Sequence, residues 1–177
     1  KSKALDWPTL QKRFRAWWRR LPAWKKDSWI PLQRYVVAAC YLLRGTLRLD
    51  FYNVSFTNNK VNYLDGKYLV LNEFKTSSKF GPQRLKLGTS FHRLLKKWKK
   101  VRDAMGDGRG NLFLTVRGKP FTRNSFSKYL SSIIKEITNK HSSVSFLRKA
   151  YISHVFKDDT PLKKRIEIAN DLLHSVE

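Results

Sequence analysis

Residues 30–43 offer almost no polar surface: Ile30, Leu32, Val36, Val37, Ala39, Cys40 and Leu43 fill a run of helix length, and Gly45 suits its end. A helix that is apolar nearly all round has to be enclosed by the rest of the chain. It falls well short of the roughly 20 residues that cross a bilayer. The expectation is therefore a domain built around one central helix. At 177 residues the chain is long enough for such a core.

What surrounds that helix is strongly basic. The formal net charge is +24, with 41% hydrophobic and 14% aromatic residues. That content separates the chain from a disordered basic tail. So large an excess repels itself unless a polyanion is near. Nucleic acid is the leading partner, since each Lys or Arg on a phosphate releases counterions. A ribosome-like or merely soluble basic protein is the plainer alternative. Cys40 is alone and the four histidines are scattered, so no disulfide or metal site is expected. No signal peptide is visible. The first residue is Lys1 and the one methionine is Met105, as in a piece of something longer.

Residues 7–26 carry a Trp-rich basic segment in which Thr9 would cap a helix ending near Pro22. Leu10, Phe14, Trp17, Trp18 and Leu21 follow helical spacing, with Lys and Arg opposite. Three readings stay open: a core helix with a DNA-facing side, the end of a separate DNA-clamping domain, or a membrane-surface helix. Strands are expected at 50–56, 67–74 and 83–87, forming a small antiparallel sheet with Lys75 at the tip of its second strand. Asp65-Gly66 is a turn signal before that strand. A basic helix follows over 91–105 on a stripe of Phe91, Leu94, Leu95 and Trp98. Gly106 to Gly110 looks like a phosphate cradle but lacks the Lys-Ser/Thr of a P-loop, so it reads as a turn. Residues 111–116 suggest a short extended piece. Strict helical spacing of Phe126, Tyr129, Leu130, Ile133, Ile134 and Ile137 predicts a helix over 123–138, and further helices are expected at 144–156 and 161–173.

Along these elements four groups stand in order: Arg48 after the apolar helix, Lys75 in a hairpin, Arg148 in the helix after residue 143, and His174 near the end. Singly, each is ordinary: an arginine at the margin of an apolar face is usually solvated, and a histidine ending a helix suits its dipole. Together, Leu47-Arg48-Leu49-Asp50-Phe51-Tyr52, Asn72-Glu73-Phe74-Lys75-Thr76 with Arg84-Leu85-Lys86-Leu87, Gly118-Lys119-Pro120-Phe121, Ser145-Phe146-Leu147-Arg148-Lys149 and Leu173-His174-Ser175 resemble the motifs of the tyrosine recombinases, the phage-integrase-like family. The wording is most similar to integrases of large DNA viruses, virophages and related mobile elements. The resemblance covers roughly residues 30–177. It implies an α+β fold, mainly helical with a small antiparallel sheet. It also divides the chain into a basic Trp-rich lead-in or linker over 1–27 and a catalytic domain over 28–177 that lacks the C-terminal tyrosine segment.

The sequence departs from the family pattern in places. Ser145 stands where the family often has His or Lys, Arg44 competes with Arg48, and no tyrosine follows Tyr151. The resemblance implies attack of a tyrosine on a DNA phosphorus, giving a 3′-phosphotyrosine and a free 5′-hydroxyl. Arg48 and Arg148 would clamp the non-bridging oxygens with planar, permanently charged forks. Lys75 would protonate the leaving oxygen, and His174 would bind the phosphate or assist proton transfer. Lys79, Arg84, Arg117, Lys119 and Arg123 would hold the DNA backbone. Double-stranded DNA is the expected partner, with a homotetramer on DNA for the full-length protein. No ATP or other cofactor is expected, since the covalent link conserves the bond energy, and no metal, since the arginine clamp fills that role. No membrane or small-molecule substrate is expected either. The expected location is intracellular, and nuclear in a eukaryotic host. A non-catalytic DNA-binding module of the same fold and a type IB topoisomerase-like enzyme are the alternatives.

Overall fold

A computed structural model describes residues 5–43, 50–57, 61–74, 78, 81–107 and 110–156. Among these are five α-helices: α1 (Trp7–Trp18), α2 (Trp29–Leu42), α3 (Thr89–Met105), α4 (Arg123–Thr138) and α5 (Val144–Val155). Four short strands lie between α2 and α3: β1 (Val54–Ser55), β2 (Asn62–Asp65), β3 (Tyr68–Leu71) and β4 (Gln83–Lys86). The helix expected at 161–173 lies outside the described residues.

The apolar helix is central. From Leu32 to Leu42 every residue of α2 except Arg34 is buried. It packs against α1, α3 and α4. One continuous core joins α1, α2, the sheet, α3, α4 and Leu147 of α5. The exception to its apolar character is Gln33, 2% exposed. Its Nε2 donates to the Leu114 carbonyl at 2.7 Å, and its Oε1 accepts from the Leu114 N–H at 2.9 Å. Gln33 thus does for residue 114 what a neighbouring strand would do. Arg34, beside it, bridges Glu136 on α4 at 2.7 Å.

α1 belongs to this core through Trp7, Leu10, Phe14 and Trp17. Its cap is Asp6, whose Oδ1 accepts from the Thr9 N–H at 2.9 Å, so Asp6 rather than Thr9 starts the helix. It ends at Trp18, earlier than expected, because residues 19–21 tighten into i→i−3 bonds, the Leu21 N–H on the Trp18 carbonyl, before Pro22. Arg13 donates to the Ile137 carbonyl at 2.9 Å, satisfying an end group of α4.

The sheet has the order β1-β2-β3-β4, and it is mixed. β2, β3 and β4 are antiparallel neighbours, but β1 runs parallel to β2. The all-antiparallel expectation fails at that edge, and β1 is shorter than expected because residues 50–53 form a 3₁₀ turn, leaving only Val54 and Ser55 to pair. β2 is not among the strands expected from sequence; the Asp65-Gly66 turn joins it to β3. The sheet's corner is held by Asn62, 1% exposed. Its amide donates to the Glu73 carbonyl and accepts from the N–H groups of Asn72 and Glu73.

The Gly-rich stretch after α3 ends it through Gly106 in the left-handed conformation, φ 66°. A Cβ on Gly110 would lie 2.9 Å from the Ser55 hydroxyl, so the chain needs glycine to lie against β1. Arg102, 3% exposed, donates to the Asn111 carbonyl and to the Asp107 carboxylate, fixing this turn from beneath. The extended piece at 111–116 is reduced to isolated bridges, Ser55 to Asn111 and Leu114 to Pro120.

Burial leaves a pH signature. The phenols of Tyr35 and Tyr129 are each pushed up to about 12 by desolvation, against an ordinary value near 10. A folded state that holds these protons longer than the unfolded chain is fully supported below pH 10. That support is lost as the pH rises towards 12. Chemical denaturation at pH 9, 10.5 and 11.5 is expected to give falling stability over this range. A flat profile would contradict the burial argument.

Candidate nucleic-acid interface

Four of the expected basic contacts lie among the described residues. Arg117 and Lys119 occupy a tight turn closed by the Gly118 N–H on the Thr115 carbonyl and the Thr115 N–H on the Lys119 carbonyl. Gly118, at φ 77°, makes that turn possible. Arg123 begins α4, just after the cap Thr122, which accepts from the Ser125 N–H in a capping box. Arg117, Lys119 and Arg123 are exposed, and among the described residues none of them pairs with a carboxylate. The Arg123 guanidinium lies 5.1 Å from the centre of the Tyr52 ring, which connects the start of α4 to the segment just after residue 49.

Arg84, on β4, is placed differently. It pairs with Asp65 at 2.7 Å and lies 4.2 Å over the Tyr68 ring, so its charge is already engaged on the sheet. Lys79, the fifth expected backbone contact, lies outside the described residues, as do Arg44, Arg48, Lys75 and His174.

Arg148 does not sit at a solvated margin. It is 6% exposed, one of two buried residues of α5 with Leu147. Ser145, one turn earlier, is exposed. Burial of a permanently charged fork is costly unless its donors are met, so a guanidinium here is held in a fixed position. The start of α5 is itself anchored. Ser143 caps it, and the His141 ring stacks on Phe146 at 3.9 Å between centres. Tyr151, on the same helix, packs edge-on against Trp7 at 4.9 Å.

Two structural residues were not legible as such. Gln33 positions Leu114, from which the chain reaches the Arg117–Lys119 turn, and Tyr52 supports Arg123. The one signal for Gln33 was a lone amide in an otherwise apolar helix.

No family model matches the sequence, and no curated protein matches it. Among solved structures, the fold is similar to the crystal structure of XerA recombinase, with a TM-score of 0.66 and 13% sequence identity. The match covers 99% of this chain and 55% of that one, so the chain spans about half the length of that recombinase. At this identity the likeness is one of fold: a mainly helical α+β architecture with a small four-stranded mixed sheet, shared with a recombinase.

Proposed function

We propose that the chain is the DNA-handling part of an enzyme that cuts and rejoins DNA strands through a 3′-phosphotyrosine link, in site-specific recombination or integration. The observation that carries this reading is the recombinase-like fold together with a buried Arg148 on α5, the element where the sequence motif puts it. Arg148 and Arg48 present fixed donors to the two non-bridging oxygens as charge builds there. Lys75 gives its proton to the departing 5′-oxygen while the tyrosine oxygen bonds to phosphorus. His174 accepts or relays the tyrosine's proton. Arg117, Lys119 and Arg123 grip the duplex backbone, and they set register without reading bases. A tetramer on paired duplexes, and action wherever the host keeps its DNA, belong to the same proposal.

The last tyrosine in the sequence, Tyr151, is packed against Trp7. The 177-residue chain is therefore expected to bind duplex DNA without forming an adduct. A longer form that carries a tyrosine beyond Glu177 should trap a covalent adduct on nicked suicide DNA. Arg148→Ala or Lys75→Ala should abolish the trap. An adduct that persists in Arg148→Ala would remove Arg148 from the site.

A further inference from the structure

We propose that the groove between the C-terminal end of α1 and the outer face of α3 binds unpaired DNA. It would be a second site, built on residues other than those of the duplex surface that leads into α4. Trp18 is 46% exposed, although it ends a helix that buries its three other aromatic side chains. Its indole stands beside that of Trp24, 6.1 Å between centres, and beside Tyr35 at 5.7 Å. Lys97 of α3 places its ammonium 4.9 Å from the Trp18 ring and 5.1 Å from the Trp24 ring. The adjoining cavity, about 360 Å³, is walled by Trp18, Tyr35, Leu43 and Leu94 and rimmed by Arg93 and Lys97. No carboxylate lines it among the described residues. Arg19 and Arg20 follow Trp18 on the exposed turn.

Flat aromatic faces beside cations are what an unpaired strand uses: bases stack on the rings while phosphates meet Lys and Arg. A duplex keeps its base faces stacked inside and can use only the cations. An acidic peptide would also satisfy the cations, but the half-exposed indole of Trp18, with Trp24 at its side, offers a ring surface that favours a planar ring system, while the buried Tyr35 forms the floor. The groove stands apart from the α5 end of the molecule. Trp7 at the start of α1 meets Tyr151 of α5, and Trp18 lies roughly 16 Å further along the helix axis. The volume is at the small end of ligand sites and suits about one nucleotide.

The test uses the whole chain and two probes, a fluorescent oligothymidylate and a fluorescent duplex, read by anisotropy at fixed salt. Trp18→Ala is expected to weaken oligothymidylate binding about tenfold or more. Duplex binding should change by less than about twofold, because the groove adds only cations to a duplex. Trp18→Phe should recover most of the loss, and Lys97→Gln should reduce the salt dependence for the single strand. Arg123→Gln should do the reverse, weakening the duplex while sparing the single strand, so failure of the duplex reading is distinguishable. Trp18 is only 46% exposed and packs beside Trp24 and Tyr35, so Trp18→Ala should lower the melt; binding is therefore compared well below it, and Trp18→Phe and Lys97→Gln serve as the variants that keep the packing. The proposal is overturned if Trp18→Ala leaves single-strand binding unchanged, or lowers both probes in parallel. It is also overturned if polyglutamate displaces oligothymidylate from the parent protein but not from Trp18→Ala.

Discussion

Gln33→Leu is expected to destabilise the protein by about 4 kcal/mol. The side-chain volume is nearly kept, although Leu branches one atom earlier, so loss of packing is the smaller term. What is lost is the pairing of a buried N–H and a buried C=O of Leu114, and each unmet group costs roughly 1–3 kcal/mol. Tyr129, whose hydroxyl lies 3.2 Å from Gln33 Nε2, loses a partner as well. For a chain of this size that corresponds to a fall in melting temperature on the order of 10 °C. Gln33→Glu sharpens the argument. Its carboxylate would still accept from the Leu114 N–H but would confront the Leu114 carbonyl, 2.7 Å away in the parent. In its protonated form the same group donates there. Burial therefore raises its folded pKa above the unfolded value near 4.3, and its support is present below that value and lost as the pH rises. Melts followed by circular dichroism at pH 4 and pH 7 should show a larger deficit against the parent at pH 7. A Gln33→Leu protein melting within a degree or so of the parent would mean that water or a shifted backbone meets Leu114 instead.

Gln33 also marks where sequence reading succeeds and where it stops. Periodicity depends on a solvent-to-core gradient across a helix. It places α4 to the residue and α3 within two residues, because each buries a whole stripe, whereas the central α2, buried nearly all round, is placed within one residue by the length of its apolar run. It says nothing about an amide reaching across to residue 114, since that contact is long-range and polar. The same blindness hid β2, whose anchoring residue is the polar Asn62, buried to serve backbone groups at 72 and 73. Arg148 shows the opposite error. Helical spacing put it at the edge of an apolar face, but it is buried there, 6% exposed. Of the four expected catalytic groups, Arg148 is the one that the described residues include. The association of Arg48, Lys75 and His174 with it rests on their order in the chain and on the recombinase-like fold.

Replacing Arg117, Lys119 and Arg123 together by Gln is expected to weaken duplex DNA binding by two to three orders of magnitude, roughly, at low salt. The three cations leave the turn and the first residue of α4 in succession, and none spends its charge on a carboxylate among the described residues. A phosphate that no cationic side chain neutralises keeps its condensed counterion. The slope of log affinity against log salt should therefore become shallower by close to three in the triple variant. Arg84→Gln is a demanding comparison. Arg84 must leave Asp65 and the Tyr68 face to reach a phosphate, so its removal should cost less than any one of the three. Exposed ion pairs are weak, and the difference should be severalfold rather than absolute. Anisotropy titrations of one duplex between about 50 and 200 mM salt measure both quantities. Glutamine is shorter than either side chain but stays polar, and none of these positions is buried, so thermal melts should stay near the parent's. If the triple variant binds with the parental slope, these residues do not touch phosphates, and the duplex surface lies elsewhere on the molecule. If Arg84→Gln alone reproduces the full loss, the sheet edge rather than the start of α4 is where the duplex rests.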